Sequence, residues 1–255
     1  MIEIPFLITL SLTLFAGIYD LKTSDVFEEI PALLISFGLF YWFIFSLISK
    51  NFSYFFNSVF TGLLFLSVGL LFYKDKIWGD GDAWILGGIG FLLPYLPNTF
   101  IPYPVSFLFN LLIVSGIYSI IYILILGILN KKIRENFVLK FKKHSSIYLG
   151  FLITCIFISF YLPFMFMIGF LPLIYIYAKV VEKGMKRKIK TSELKEGDVL
   201  AGKEITGLRK KEIEKLRVER KFVEIQEGIR FTLVFPITLL FLYFFGGIFG
   251  VLSIM

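Results

Sequence analysis

Three carboxylates and two glycines crowd into "KDKIWGDGDAW", Lys74 to Trp84, between two segments built almost entirely of Phe, Leu and Ile. A connection that only had to turn can be made from Asn, Ser and Gly. A further acid, Asp20, closes the first apolar segment, 62 residues before Asp82. Two carboxylates brought together without histidine or metal ligands suit aspartyl-type chemistry. If they share one proton, mutual repulsion separates their pKa values, so that one takes a proton from water while the other donates to an amide carbonyl. Such a pair titrates as one unit and needs no cofactor or metal. Gly79 and Gly81 can adopt positive φ and carry no Cβ, so the backbone can come close to an extended substrate and aim Asp82 inward.

The elements that must position these acids are membrane helices. The chain is 57% hydrophobic, and its mean hydropathy is +0.82. It repeats apolar runs of about 20 residues, the length that crosses a hydrocarbon core of roughly 30 Å. Stretches such as "SYFFNSVFTGLLFLSVGLLFY", Ser53 to Tyr73, are apolar all round, unlike the amphipathic helices of a soluble domain. Spans are expected at about 4–20, 30–49, 53–73, 83–97 and 104–129, followed by a basic loop, "NKKIRENFVLKFKKH". The apolar stretch Ser146 to Tyr177 is broken by Pro163 and Pro172 and reads as a hairpin of two short spans, about 146–161 and 164–178. A last span is expected at about 231–253.

The expected fold is therefore an all-α polytopic membrane protein of about eight transmembrane helices, with six to eight compatible, plus a small mixed α/β cytoplasmic domain before the last helix. Residues 1–178 form the bundle, 179–230 the charged domain and 231–255 the final span. Within the charged domain "TGLRKKEIEKLRVER" reads as a surface helix capped by Thr206, "KFVEIQ" as a strand and "KEGDVLAG" as a turn. Cys155 is the single cysteine and lies in an apolar run, which excludes a disulfide and a cysteine zinc cluster. The first segment has no basic n-region and reads as a retained span, not a signal peptide.

Charge orients the bundle. Of 26 Lys and Arg, 16 lie in Lys179 to Arg230 and six in Lys131 to Lys143, so the net charge of +7 is a topology signal and says little about nucleic acid. With the amino terminus outside the cell membrane, both basic segments fall in the cytoplasm. Asp20 and Asp82 then emerge on the same cytoplasmic face, where a carboxylate at the membrane boundary is costly unless used.

At this point the residues carry a resemblance. "WGDGD" fits the G-x-G-D pattern of intramembrane aspartyl proteases with Gly79, Gly81 and Asp82, and "YDLKTSDV…IPALL" is similar to the first-aspartate region of type IV prepilin peptidases. The phrases "TSELKEGDVLAG", "KKEIEKL" and "EGIRFTLVFPITLL" resemble the tail of the archaeal branch, the prepilin and preflagellin (archaellin) peptidases. The resemblance implies that Asp20 and Asp82 are the two catalytic aspartates. It implies partners too: pilin-like or archaellin precursors whose short basic leader is cut at the cytoplasmic face, just before a hydrophobic helix. Bacterial members often carry paired cysteine motifs and N-methylate the product. This chain has neither those cysteines nor a methyl-donor site, so methylation is not carried over. The 146–178 hairpin is extra relative to a six-span arrangement.

Each feature has a plainer reading. An Asp-Gly turn between spans is common, and Asp20 alone would be a helix-end acid. Asp80 reads as an exposed turn residue or a neighbour of Asp82, Pro31 as a first-turn helix residue, His144 as solvated and Cys155 as packing. Asp25, Glu28 and Glu29 make "LKTSDVFEEI" net acidic and are candidates for recognising a basic leader; equally, they would solvate the loop and cap the second helix. Two other classes use carboxylates in a bundle. A transporter would place them near the bilayer midplane. A metal-dependent lipid phosphotransferase could gather Asp75, Asp80 and Asp82 around Mg²⁺ or Ca²⁺, although "DGDAW" lacks the arginine and later acid pair of that pattern. The serine pattern G-x-S-G and the zinc pattern H-E-x-x-H are absent.

Overall fold

The computed structural model describes residues 2–75, 77–97, 99, 101–194, 197–201, 207–208, 210–226, 228–248 and 250. Long helices dominate: α1 (Glu3–Thr23), α2 (Glu29–Ser49), α3 (Ser53–Lys74), α4 (Asp80–Leu92), α5 (Tyr103–Leu129), α6 (Lys131–Ser159) and α7 (Met165–Gly184). Two strands, β1 (Lys186–Lys190) and β2 (Phe222–Gln226), flank α8 (Lys210–Glu219), and α9 (Val234–Phe245) follows. Among the described residues α1, α2, α3, α5 and α7 are long and apolar enough to cross a membrane. With mean hydropathy this high and such helices, the chain is a helical membrane protein.

The described chain divides into two compact units. The first gathers α1 to α4, α5 as far as Ser119, and the segment from Gly228 through α9. Its core is centred on α4, which has 13 residues and would be about 20 Å long at 1.5 Å per residue, shorter than a bilayer core. The helix expected at 83–97 thus starts earlier and stops sooner. Every residue from Ile85 to Leu92 is buried, so this part of α4 is enclosed by protein, mainly by α2 and α3. Small residues permit the enclosure: a Cβ on Gly90 would lie 2.6 Å from the Thr61 carbonyl oxygen, so only glycine lets the α3 and α4 backbones meet there. At its far end the carbonyls of Phe91 and Leu92 accept from Ser58 Oγ (2.5 Å) and Trp42 Nε1 (3.0 Å). Trp42, Tyr54 and Tyr95 stack around that end.

The second unit holds α5 from Ile120, α6, α7 and the charged block to Gln226. Here the basic loop expected over 131–143 is helical. Lys131–Ser159 contains neither proline nor a helix-breaking glycine before Gly150, and Asn130 Oδ1 caps its start by accepting from Lys132 N and Ile133 N. Ile133 and Phe137, one turn apart, pack against Val180, Val181 and Tyr177 of α7, so the basic segment has an apolar stripe to bury. A local departure from helical geometry marks His144, which is exposed. Helices α6 and α7 form an antiparallel hairpin broken at residues 160–164 around Pro163, while Pro172 lies inside α7. Cys155 is buried in that hairpin beside Gly169.

Strands β1 and β2 pair antiparallel, Lys186 opposite Gln226 and Lys190 opposite Phe222. With α8 they enclose a small core of Leu194, Leu208, Ile213, Val223 and Ile225. The expected strand at "KFVEIQ" is β2; its partner β1 had no sequence signal because "KRKIK" contains a single apolar residue. The proposed cap Thr206, and Lys195, Glu196 and Gly202 of the expected turn, lie outside the described residues.

Candidate active site

The site is built from three places in the chain: the carboxyl end of α1, the amino end of α4, and the six residues that lead into α9. Helix α1 ends at Ser24, whose φ of 60° reverses the chain and whose N–H donates to the Asp20 carbonyl. Asp20, in the last turn, is 6% exposed. Asp82 sits in the first turn of α4 and is 9% exposed. Two carboxyl groups so far from water require polar partners, and both find them on one residue.

That residue is Thr232. Its backbone N–H donates to Asp20 Oδ2 at 3.1 Å, and its hydroxyl donates to Asp82 Oδ1 at 2.8 Å. Thr232 is itself 1% exposed. The acids that stand 62 residues apart in sequence therefore converge on two polar atoms of a third residue, 212 positions beyond the first and 150 beyond the second.

The approach to Thr232 is pinned on three sides. Arg230 spans to the end of α1, its Nη1 donating to the Leu21 carbonyl and its Nε to Ser24 Oγ at 3.1 Å. A cation on the last carbonyls of a helix satisfies groups that lack an intrahelical partner and meets the negative end of the dipole. The Arg230 carbonyl accepts from Tyr118 Oη of α5 at 2.7 Å. Trp78, immediately before the glycines, is buried against Phe72, Phe231 and Phe235, with its ring 5.1 Å from that of Phe231. Hydrogen bonds and ring packing thus fix Arg230 and Phe231, the two residues that precede Thr232.

No family model, curated protein or solved structure matches this chain. What the site can do follows from its own groups.

The glycines act differently from the expectation. Neither has positive φ: Gly79 has φ −71° and ψ 161° as the residue before α4, and Gly81 lies within the helix. The absence of a side chain matters at Gly81 alone, where a Cβ would lie 2.8 Å from Val26 Cβ. Gly81 therefore seats the loop after α1 against the start of α4, which brings the two acid-bearing ends together. A Cβ on Gly79 would meet only Asp82 Oδ2, at an ordinary 3.6 Å.

The remaining candidates stay at the surface. Asp80 is exposed and accepts from the adjacent Gly81 amide at 2.9 Å. Asp75 is exposed. Asp25, Glu28 and Glu29 are exposed as well; Asp25 accepts from the Val26 amide at 2.8 Å, and Glu28 and Glu29 stand at the start of α2, where acids favour the helix dipole. Among the described residues no three His, Cys, Asp or Glu side chains gather into a metal-binding group.

Sequence reasoning missed Thr232, Arg230 and Trp78. In "EGIRFTLVFPITLL" Thr232 stands where the last apolar run begins, and no local pattern marks it as a partner of the acids.

Proposed function

We propose that this protein is a membrane aspartyl endopeptidase with Asp20 and Asp82 as its catalytic pair. It removes short basic leaders from prepilin-like or preflagellin (archaellin) precursors at the cytoplasmic membrane face. The observation that carries this reading is the convergence of two buried carboxyl groups on the amide and hydroxyl of Thr232. A pair held this way can share one proton. One carboxylate takes a proton from water as the water oxygen bonds to the peptide carbonyl carbon, while the other carboxyl protonates the carbonyl oxygen, giving a neutral gem-diol. On collapse the first acid returns its proton to the leaving nitrogen as the C–N bond breaks. The second regains one from a gem-diol hydroxyl, so the cycle closes with water as the only other reactant.

The same reading sets the topology. The amino terminus is outside, the chain spans the membrane about eight times, and both the active site and residues 179–230 face the cytoplasm. Single cysteines placed in the charged block of a Cys155→Ser background then resist a membrane-impermeant thiol reagent in intact cells. Ready labelling from outside reverses that orientation.

The deciding experiment mixes membranes containing the protein with a pilin-like or archaellin-like precursor, with and without EDTA. Loss of the leader in both, and in neither for Asp82→Asn, supports the peptidase. Cleavage that stops with EDTA transfers the site to a metal-dependent reaction.

A further inference from the structure

The charged block carries a feature that the acid pair does not use. At the end of the β1–β2 hairpin where Lys190 pairs with Phe222, a cleft of about 280 Å³ opens between the turn after β1 and the end of α8. Four cations line it, Lys190, Arg217, Arg220 and Lys221, and among the described residues no carboxylate does. The acids adjacent in sequence, Glu193 and Glu219, lie outside the lining, and Glu219 stands 3.8 Å from Lys215 instead. Arg217 is fixed in place: its Nε and Nη2 donate to the carbonyls of Thr191 and Leu194 at 3.2 and 3.4 Å, which ties α8 to the turn after β1. Lys190, Arg220 and Lys221 are exposed. Like charges held this close repel one another unless water, salt or an anion offsets them. The same place carries apolar surface. Phe222 forms one wall of the cleft and is 50% exposed, and Val218, next to Arg217 on α8, is 90% exposed. These are the two large apolar side chains that the described residues of 186–226 expose.

We propose that this end of the charged domain docks on anionic phospholipid headgroups of the bilayer that holds the chain. Headgroup phosphates supply the negative charge that the cleft lacks, and Arg and Lys side chains bind phosphate oxygens through charge-assisted hydrogen bonds. Phe222 and Val218 suit the boundary between headgroups and acyl chains, where an apolar side chain beside a cation is favourable. A free anion would need the charges alone, so the exposed apolar pair favours a bilayer. The tether favours it too. Helix α7 is long and apolar enough to cross a membrane and ends at Gly184, and β1 begins at Lys186. Lys190 lies four strand residues beyond Lys186, about 13 Å along the strand, so the cleft stays within reach of the surface from which α7 emerges. Attraction of such a cluster to an anionic surface grows with each Lys or Arg and decays within a screening length. The proposal is independent of the peptidase reading and holds on whichever side of the membrane the block lies.

The test reconstitutes the full chain in nanodiscs of neutral phosphatidylcholine, or of that lipid mixed with anionic phosphatidylglycerol. In a Cys155→Ser background, Ser192→Cys places one thiol in the lining of the cleft, and its rate of reaction with an uncharged, water-soluble maleimide is measured. Glu214→Cys, exposed on α8 and outside the cleft, corrects for the effect of surface potential on any thiol. The expected result is a rate about tenfold slower for Ser192→Cys in anionic than in neutral nanodiscs, with Glu214→Cys changed by less than about twofold. Adding Lys190→Gln, Arg220→Gln and Lys221→Gln removes most of the slowing. So does salt at roughly 1 M, where the screening length falls to about 3 Å. Equal rates in the two bilayers overturn the proposal. Slowing that survives either charge removal or salt overturns it as well. Slowing of the same size when inorganic phosphate is added to neutral nanodiscs also overturns it, because that marks a site for a free anion. Should the triple glutamine variant fail to accumulate in membranes, the salt series on Ser192→Cys decides alone.

Discussion

The two ends of α4 solve one problem in opposite ways. At the carboxyl end the buried groups are neutral carbonyls, and each has a fixed donor, Ser58 Oγ for Phe91 and Trp42 Nε1 for Leu92. At the amino end the buried group is the Asp82 carboxyl, and its donor is a hydroxyl that also has lone pairs to offer. The first arrangement closes a helix permanently. The second keeps a group whose charge can change in a place where charge is expensive. The contrast separates the end of α4 that holds shape from the end to which the proposed reaction assigns the chemistry.

The sharpest way to break this comparison is to neutralise each acid. Asp20→Asn and Asp82→Asn are each expected to lower precursor cleavage by more than about a thousandfold, since an amide neither takes nor delivers the proton. Asp80→Asn, with its side chain exposed and hydrogen-bonded to the Gly81 amide, is expected to keep at least about half of the activity. Equal loss in all three would place the wrong acid of the motif in the pair.

A smaller effect is expected at the glycines. Gly81→Ala forces the start of α4 away from Val26 and lowers kcat/KM about tenfold, because small displacements of reacting groups are costly. Gly79→Ala, whose Cβ has room, stays within about threefold. Progress curves on the two variants side by side measure the difference.

At the opposite end the readout changes from rate to stability. Trp42→Phe and Ser58→Ala each leave a buried carbonyl without its donor and are expected to destabilise the protein by about 1–3 kcal/mol. Cleavage per folded molecule stays at the parent level. A thermal melt in detergent with residual activity measured on the same sample checks both halves.

The smallest effect concerns the acidic loop. Glu28→Lys combined with Glu29→Lys is expected to raise KM for a basic leader several-fold with kcat little changed, at about 0–1 kcal/mol for each exposed pair. Raising salt should shrink the difference. An unchanged KM at low salt leaves those acids as the first turn of α2 and nothing more.

Much of this was legible in the residues because the physics was local. Apolar runs declared the long helices, and acids next to glycines between such runs declared a cost that needed a reason. Pro163 declared the hairpin. The remainder depended on distant partners. Nothing in the neighbourhood of Thr232 distinguishes it from Thr9, Thr13 or Thr238, each of which bonds a carbonyl in its own helix. Only the folded chain shows that this one threonine faces two acids. The basic run from Lys131 read as a loop because its charges outweighed an apolar stripe whose partners lie on α7. The missing Cβ of Gly81 suggests room for a substrate, whereas the structure fills that room with Val26.

Because Asp20 receives its amide donor from a residue 212 positions later, the order of protein synthesis bears on activity. Both acids leave the ribosome long before Thr232 is made, and until then neither has the partner that fixes its geometry. The growing chain therefore carries its reactive groups in an unassembled form through most of translation. The geometry that the proposed reaction needs is therefore complete only when the segment entering α9 has been made.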